Sequence, residues 1–130
     1  MQGLPASGKT YIAKNHCAAN PDFIRVNRDD LRTMIWNYKY PDQENLIKEM
    51  EMNCAKLAID NGYSIIVDGL NFSQSTINKW KTVAKDNNMD FETRYIYCPL
   101  ETCIKRDRER PNSVGENVIR GIYDQYLNIK

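Results

Sequence analysis

Residues 3–10 read G-L-P-A-S-G-K-T, close to the start of the chain. This stretch fits the phosphate-loop (P-loop) pattern G-x-x-x-x-G-K-[S/T], in which successive backbone N–H groups point into one concavity. Gly3 and Gly8 allow the tight turn. The helix predicted to follow adds its unpaired N–H groups and the positive end of its dipole. Because a random match in a chain of this length has a probability of only about 0.4% at typical residue frequencies, the stretch predicts a nucleoside triphosphate site, most simply for ATP.

The side chains of the loop have separate predicted roles. Lys9 reaches the β- and γ-phosphates, and the hydroxyl of Thr10 ligates Mg²⁺. Pro5 stiffens the loop and so lowers the entropy lost on binding. The predicted nucleotide-binding residues are Gly3, Pro5, Ala6, Ser7, Gly8, Lys9 and Thr10.

Composition limits the class of protein. The 130 residues are 42% hydrophobic, which favours a single globular domain over residues 1–130. A net charge of +1, from 18 basic and 17 acidic residues, gives no global field that attracts nucleic acid. No apolar run is long enough for a membrane span and no signal peptide is visible, so we expect a cytoplasmic protein without a membrane partner. The four cysteines lack C-x-x-C spacing, which makes a zinc site unlikely and favours free thiols.

Helical and strand patterns alternate along the chain. Short apolar runs predict strands over 23–26, 64–67 and 92–97. Helices are predicted over 9–19, 28–38, 42–61, 73–87 and 100–109, followed by a last amphipathic helix around 118–127. The residues expected to face inward are Ile12, Ala13, Ile47, Met50, Cys54, Leu57, Ala58, Ile77, Trp80, Ala84, Val118, Ile119, Ile122, Tyr126 and Leu127. The order predicts an α/β P-loop NTPase kinase fold, a three-layer sandwich with a parallel sheet.

The first strand of such a fold is apparently missing, since only Met1 and Gln2 precede the loop. An absent inner strand would leave unpaired backbone groups in the sheet. We therefore expect Met1 to be an internal methionine or a clipped start, with about five more apolar residues before Gln2, the length of a typical strand.

Two acidic stretches follow predicted strands. Asp68 ends S-I-I-V-D, at the edge of the sheet where ligands of α/β folds bind, and would hold Mg²⁺ directly or through water. The alternative is a carboxylate that caps the next turn. Asn71 would orient the substrate or simply form a turn.

The other acidic stretch, N-R-D-D-L-R, follows the strand over 23–26. Asp29 and Arg32 are three residues apart and share a helical face. A carboxylate that accepts a hydroxyl proton beside a guanidinium that grips a phosphate suits the acceptor in phosphoryl transfer. The alternative is a surface ion pair. Asp30 lies about 100° away around the helix and is better placed to stabilise the helix N-terminus.

Residues 105–111 read K-R-D-R-E-R-P. Arg106 and Arg110 are four apart and would face the transferring phosphate from a mobile lid that contains Pro111 and Gly115. The alternative is a solvated helix that carries alternating charges, with Asp107 and Glu109 as the partners of the arginines.

Along the chain, G-L-P-A-S-G-K-T is followed by a strand that ends in N-R-D-D-L-R, then by V-D-G-L-N and by R-D-R-E-R before a polar loop. These motifs in this order resemble the phage-type 5′-polynucleotide kinases. The resemblance implies transfer of the ATP γ-phosphate to the 5′-hydroxyl of DNA or RNA, often in nucleic-acid repair, and the host cytoplasm if the gene belongs to a phage. It implies Asp29 as the general base and Arg32 as the residue that holds the acceptor's 3′-phosphate. Lys9 and Thr10 would bind the donor phosphates and Mg²⁺, and Arg106 and Arg110 would be lid arginines.

Two other functions remain open at this point. A small P-loop kinase that acts on a metabolite, nucleotide or other small hydroxyl acceptor would use the same lysine, base and lid, and the near-neutral charge favours it mildly. A nucleotide-binding remnant without turnover is the third interpretation. Trp36, Tyr38 and Tyr40 would stack a base or belong to the core or the rim of the domain.

Overall fold

Helices alternate with two parallel strands along the chain. The structure, a computed structural model, describes residues 1–128. Its elements are α1 (Lys9–Ala19), β1 (Phe23–Asn27), α2 (Arg28–Arg32), α3 (Glu44–Asp60), β2 (Ser64–Asp68), α4 (Gln74–Asp86), α5 (Leu100–Arg108) and α6 (Glu116–Tyr126). Within residues 1–128, no helix is long and apolar enough to cross a bilayer.

The two strands pair in parallel and end together. Phe23 lies opposite Ser64 at one end, and Asn27 lies opposite Asp68 at the other. Helix α3 connects the strands and packs against both of them, which forms a βαβ unit. The α/β class with a parallel sheet is therefore confirmed, and the carboxyl ends of β1 and β2 present polar side chains at one edge.

The chain forms two compact units. The first comprises residues 1–10 together with the chain from Leu70 onward, and the second comprises residues 11–69. The buried core of the first unit consists of Leu4, Cys98, Cys103, Ile104 and Ile119, with Leu100, Ile122, Tyr123 and Leu127 packed around it. Because Leu4 lies in this core, burial of apolar surface anchors the predicted phosphate loop at its second residue.

The predicted strand over 92–97 forms only an isolated parallel bridge. Gln2 pairs with Tyr95, its N–H donates to the carbonyl of Arg94 at 2.8 Å, and its carbonyl accepts from the N–H of Ile96 at 2.8 Å. The chain turns into the loop at Gly3, so the pairing does not continue past Gln2. The prediction of a full strand was wrong in its extent.

Helix α2 ends six residues earlier than the predicted 28–38. Its N-cap is Asn27, whose side-chain oxygen accepts from the N–H of Asp30. Beyond Arg32 the N–H groups of Met34 and Ile35 bond to carbonyls three residues back, a tight turn rather than an α-helix. The residues that follow bury no apolar face that would stabilise another turn, since Trp36 is 96% exposed.

The buried face of α3 is also rotated from the prediction. The residues that point inward are Ile47, Glu51, Ala55 and Ala58, whereas Cys54 and Leu57 are exposed. The apolar period missed this face because Glu51 is buried through an ion pair with Arg28, at 3.0 Å between Oε1 and Nε. In α1 the prediction holds for buried Ala13 but not for Ile12, which is exposed.

Candidate functional site

The loop over residues 3–10 has the backbone of an anion-binding cradle. Ala6 and Gly8 adopt left-handed φ values of 62° and 104°, a conformation that turns successive N–H groups toward one side. Helix α1 begins directly after them at Lys9. A Cβ on Gly3 would lie 2.7 Å from Ser7 Oγ and 3.0 Å from Lys9 Cγ and Cδ, so the loop can close this tightly only with glycine there.

The polar side chains of the loop fit a triphosphate. Lys9 is almost fully buried and its Nζ donates to the Leu4 carbonyl at 2.8 Å. Ser7 Oγ is buried and has no hydrogen-bond partner within residues 1–128, an arrangement that a phosphate oxygen satisfies. Thr10 is exposed in the first turn of α1. No group of three or more His, Cys, Asp or Glu side chains within residues 1–128 is arranged to hold a metal ion.

In the second unit, the structure brings Asp29 and Arg32 together on α2. Arg32 Nη1 donates to Asp29 Oδ1 at 2.5 Å, and the Asp29 side chain is 83% exposed. Arg32 is held on its other side by Glu44, in the first turn of α3. Burial by itself lowers the pKa of Arg32, but the hydrogen bonds that Arg32 donates to Glu44 and Asp29 raise the pKa by more, so the net shift is upward and the guanidinium stays charged. The pair offers an exposed carboxylate beside a fixed cation.

Asp68 is buried at the carboxyl end of β2, where two neighbours on β1 bond to it. Arg25 Nε donates to its Oδ2 at 2.9 Å, and Asn27 Nδ2 donates to the same oxygen at 3.3 Å. Arg25 also bonds to Asp30 through Nη1 at 2.5 Å. Asp30 therefore pairs with the sheet edge instead of with Arg32, and the positive charge next to Asp68 comes from within β1.

The two predicted lid arginines differ in their surroundings. Arg106 is exposed on α5, and its Nη1 donates to the thiol sulfur of Cys98 at 3.5 Å. Arg110 lies beyond the end of α5 and pairs with Asp107 at 2.9 Å. The acidic partner that the sequence offered as an alternative is therefore present for Arg110.

Asp107 organises the loop between α5 and α6. Its buried carboxylate also accepts from Ser113 Oγ at 2.7 Å and from the backbone N–H groups of Val114 at 3.1 Å and Gly115 at 2.9 Å. Burial alone would raise the pKa of Asp107, but the hydrogen bonds from Ser113, Gly115, Val114 and Arg110 hold it well below its ordinary range. In this structure one carboxylate therefore fixes the segment predicted to be a mobile lid.

Sequence reasoning missed two residues that contact predicted site residues. Glu44 contacts Arg32, and Arg25 contacts Asp68. Arg25 carried a visible signal, because a charged residue in the middle of a buried strand needs a partner. Nothing in the local pattern distinguished Glu44 from other acidic residues on helices.

The remaining candidates are placed as follows. Asn71 has a left-handed φ of 51°, and its side chain donates to the Met1 carbonyl at 2.8 Å, as a turn residue that ties the N-terminal segment. Trp36 and Tyr40 are exposed and do not belong to the core, whereas Tyr38 is half-buried and bonds to Glu44.

We predict that Gly3→Ala weakens ATP binding on the order of tenfold or more, because the new Cβ displaces Ser7 and Lys9 from the cradle. Isothermal titration calorimetry with a non-hydrolysable ATP analogue measures this. The matched control is Gly121→Ala in α6, where a Cβ meets nothing within 4 Å. It should leave affinity unchanged and raise the free energy of unfolding by about 0.5–1 kcal/mol. Wild-type affinity in Gly3→Ala would show that the loop does not hold the nucleotide.

We predict that Asp107→Asn lowers the free energy of unfolding at pH 7 by about 3 kcal/mol, as loss of a buried charge partner does. The difference from wild type should shrink as the pH falls below about 4. The reason is that a carboxylate with a lowered folded-state pKa stabilises fully above its unfolded-state pKa and loses that effect as it is protonated. Denaturant unfolding from pH 7 to pH 3 checks this, with exposed Glu109→Gln as the control. A gap independent of pH would show that Asp107 acts through its shape and not its charge.

Comparisons with known proteins place the chain in a family. A family model described as an AAA domain matches residues 1–128. The chain is 28% identical to the L-seryl-tRNA(Sec) kinase of Methanococcus maripaludis, over 97% of this chain and 51% of that protein. It is 24% identical to a putative bifunctional polynucleotide kinase/RNA ligase of Autographa californica nuclear polyhedrosis virus, over 98% of this chain and 20% of that protein. The chain thus spans about half and a fifth of these relatives.

Solved structures agree with this placement. A chain in a structure of the Pnkp1/Rnl/Hen1 RNA repair complex superposes with a TM-score of 0.81 at 25% identity, covering 95% of this chain and 42% of that one. A second structure of the Pnkp1/Rnl/Hen1 complex gives a TM-score of 0.69 at 27% identity, covering 81% and 36%. The chain belongs to the AAA domain family and is a P-loop kinase domain of the polynucleotide kinase type.

Proposed function

We propose that this chain transfers the γ-phosphate of ATP to the 5′-hydroxyl of a nucleic acid, DNA or RNA. The observation that carries the proposal is the contact between the exposed Asp29 carboxylate and the Arg32 guanidinium, directly after β1. To phosphorylate a hydroxyl that lies next to a phosphate, a kinase needs a base for the hydroxyl proton and a cation beside it for the phosphate. The similarity to a polynucleotide kinase/RNA ligase and to a chain of an RNA repair complex supports a nucleic-acid acceptor.

The donor is bound by the phosphate loop. Its backbone N–H groups hold the phosphate oxygens, and Lys9 leaves the Leu4 carbonyl to bind the β- and γ-phosphates. Mg²⁺, when bound, neutralises charge on the β- and γ-oxygens; Thr10 and Asp68 are the residues that would hold it.

Asp29 takes the proton of the 5′-hydroxyl while the hydroxyl oxygen forms a bond to the γ-phosphorus. The bond from that phosphorus to the β–γ bridging oxygen breaks, and ADP leaves with the electron pair. Arg32 binds the phosphate on the 3′ side of the reacting nucleotide. These contributions act by position and charge, since phosphoryl transfer needs little covalent chemistry from the protein.

Among the lid arginines, Arg106 is better suited than Arg110 to the donor phosphates. The thiol that it contacts is a weak acceptor, so little is lost when Arg106 turns to a phosphate. Arg110 must first leave a buried carboxylate, which costs several kcal/mol unless the whole loop moves with it.

A second candidate acceptor is the seryl hydroxyl of an aminoacyl-tRNA. The 28% identity to an L-seryl-tRNA(Sec) kinase over 97% of the chain favours it. The same donor site would serve, and the acceptor would still carry nucleic-acid phosphates for Arg32.

The experiment is a radiolabelled-ATP assay on the protein of natural length with three acceptors: a short 5′-OH oligonucleotide, a seryl-tRNA, and a mixture of nucleosides and sugars. Transfer to the 5′-OH oligonucleotide, absent when that end is already phosphorylated, supports the proposal. Labelling of the seryl-tRNA alone, or of small acceptors alone, would replace it with the corresponding kinase. ATP binding without transfer to any acceptor would indicate a non-catalytic module.

The salt dependence of the same assay separates large from small acceptors. The KM for an oligonucleotide should rise with added salt, because salt opposes the counterion release that favours phosphate contacts. A KM that is insensitive to salt between 50 and 200 mM would contradict a nucleic-acid acceptor, since several phosphate contacts lose orders of magnitude in affinity over that range.

We predict that Asp29→Asn lowers kcat by about a hundredfold or more while the KM for ATP stays nearly unchanged, the effect of losing a general base. The matched control is Asp30→Asn, because Asp30 bonds to Arg25 and not to Arg32; its kcat should stay within a few fold of wild type. Lys9→Ala should damage ATP binding and turnover together. Equal losses of ATP binding and turnover in Asp29→Asn would assign Asp29 to the donor site.

A further inference from the structure

Glu44 binds the guanidinium of Arg32 on the side away from Asp29. Arg32 Nε donates to Glu44 Oε2 at 3.2 Å, and Nη2 donates to Oε1. The hydroxyl of Tyr38 donates to Oε2 as well. The Glu44 side chain is only 14% exposed, so Arg32 makes a bidentate interaction with a largely buried carboxylate.

This arrangement fixes the plane of the guanidinium and leaves part of it available. A guanidinium has five N–H groups; Glu44 uses two of them and Asp29 uses one. A carboxylate that binds two parallel N–H groups sets both the position and the orientation of an arginine. The two remaining N–H groups lie on Nη1 and Nη2.

Glu44 remains an anion at neutral pH. Burial by itself raises the pKa of Glu44, but the hydrogen bonds from Arg32 and Tyr38 lower it, and the net shift is downward. The charge of Arg28 contributes in the same direction. The ion pair between Glu44 and Arg32 therefore persists at neutral pH.

A second ion pair joins the same two helices at a distance from Arg32 and provides a control for their docking. Arg28 on α2 bonds to Glu51 on α3 at 3.0 Å, and the Glu51 side chain is almost fully buried. That pair lies at the start of α2 and holds it against α3. The pair of Arg32 with Glu44 lies at the other end, next to the exposed carboxylate of Asp29.

We propose that Glu44, supported by Tyr38, is a positioning residue that presents the guanidinium of Arg32 to a phosphate of the acceptor. This inference rests on the proposed function and adds a residue to its acceptor site. When the acceptor binds, Arg32 keeps Glu44 and exchanges Asp29 for the phosphate. Asp29 is then released to take the proton of the hydroxyl. A pre-positioned arginine loses less side-chain entropy on binding, which strengthens the contact.

The kinetic test compares Glu44→Gln and Tyr38→Phe with the matched control Glu51→Gln, in the protein of natural length. Glu44→Gln should lower kcat/KM for the 5′-OH oligonucleotide about tenfold or more, the effect of losing a bond to a charged group. The KM for ATP should stay within twofold. Tyr38→Phe should show a smaller loss of the same kind. Glu51→Gln should lower the melting temperature without a selective loss at the acceptor.

A double-mutant cycle shows whether Glu44 acts through Arg32. In an Arg32→Ala background, Glu44→Gln should change kcat/KM less than twofold, because the group that it positions is gone. The same tenfold loss in both backgrounds would overturn the inference. Equal losses for ATP and acceptor would overturn it as well, since they indicate a general structural effect.

A measurement without turnover separates this inference from the proposed function. In ¹H–¹⁵N spectra, the Nε–H signal of Arg32, assigned by its loss in Arg32→Lys, should be resolved and slow to exchange in wild type and in Glu51→Gln. It should broaden or vanish in Glu44→Gln. If wild type phosphorylates no oligonucleotide, the proposed function fails whatever the spectra show. If the signal survives in Glu44→Gln, the positioning role fails whatever the assay shows.

Discussion

Burying a carboxylate without a positive partner lowers the stability of a protein by several kcal/mol. This constraint applies at three polar junctions of the fold, the contacts at which a buried carboxylate joins two parts of the chain. Glu51, Asp68 and Asp107 are all almost fully buried, and each is bonded to an arginine. The first pair joins α2 to α3, the second joins the middle of β1 to the end of β2, and the third organises the loop before α6. Removing any one of these arginines leaves a charge inside the protein, so the junctions depend on the pairs even where the pairs add little net stability.

The same constraint divides the arginines into two groups. Arg25, Arg28 and Arg110 are bonded to buried carboxylates and are occupied by the fold itself. Arg32 and Arg106 have weaker or more exposed partners on at least one side. A net charge of +1 therefore says little about acceptor binding, because what counts is the number of arginines that the fold leaves available to phosphates.

Much of the fold was predictable because local chemistry decides it. The phosphate loop follows from glycine and lysine spacing, and the cap at Asn27 and the left-handed Gly62, with φ of 87°, follow from local backbone needs. The contact of Asp29 with Arg32 also followed from helical spacing.

The rest depends on partners that are distant in sequence. The inward face of α3 includes Glu51 only because Arg28 is available to pair with it, which no apolar period reveals. The predicted strand over 92–97 forms a single bridge, from Tyr95 to Gln2, and the extent of such pairing cannot be deduced from one segment alone. The contact of Glu44 with Arg32 forms only through the turn after α2. Asp107 was expected to pair with an arginine, but its bonds to backbone N–H groups depend on the loop after α5.

The burial of Leu4 among residues of α5 and α6 has a consequence for how the protein is made. The segment from β1 to β2 has its pairing partners close in sequence, so it can form while the ribosome is still adding the rest of the chain. Leu4 cannot complete its contacts until Ile119, far later in the sequence, has been synthesised, and contacts of such long separation form slowly. The nucleotide cradle therefore acquires its final shape only after α6 has been made, well after its own residues have left the ribosome.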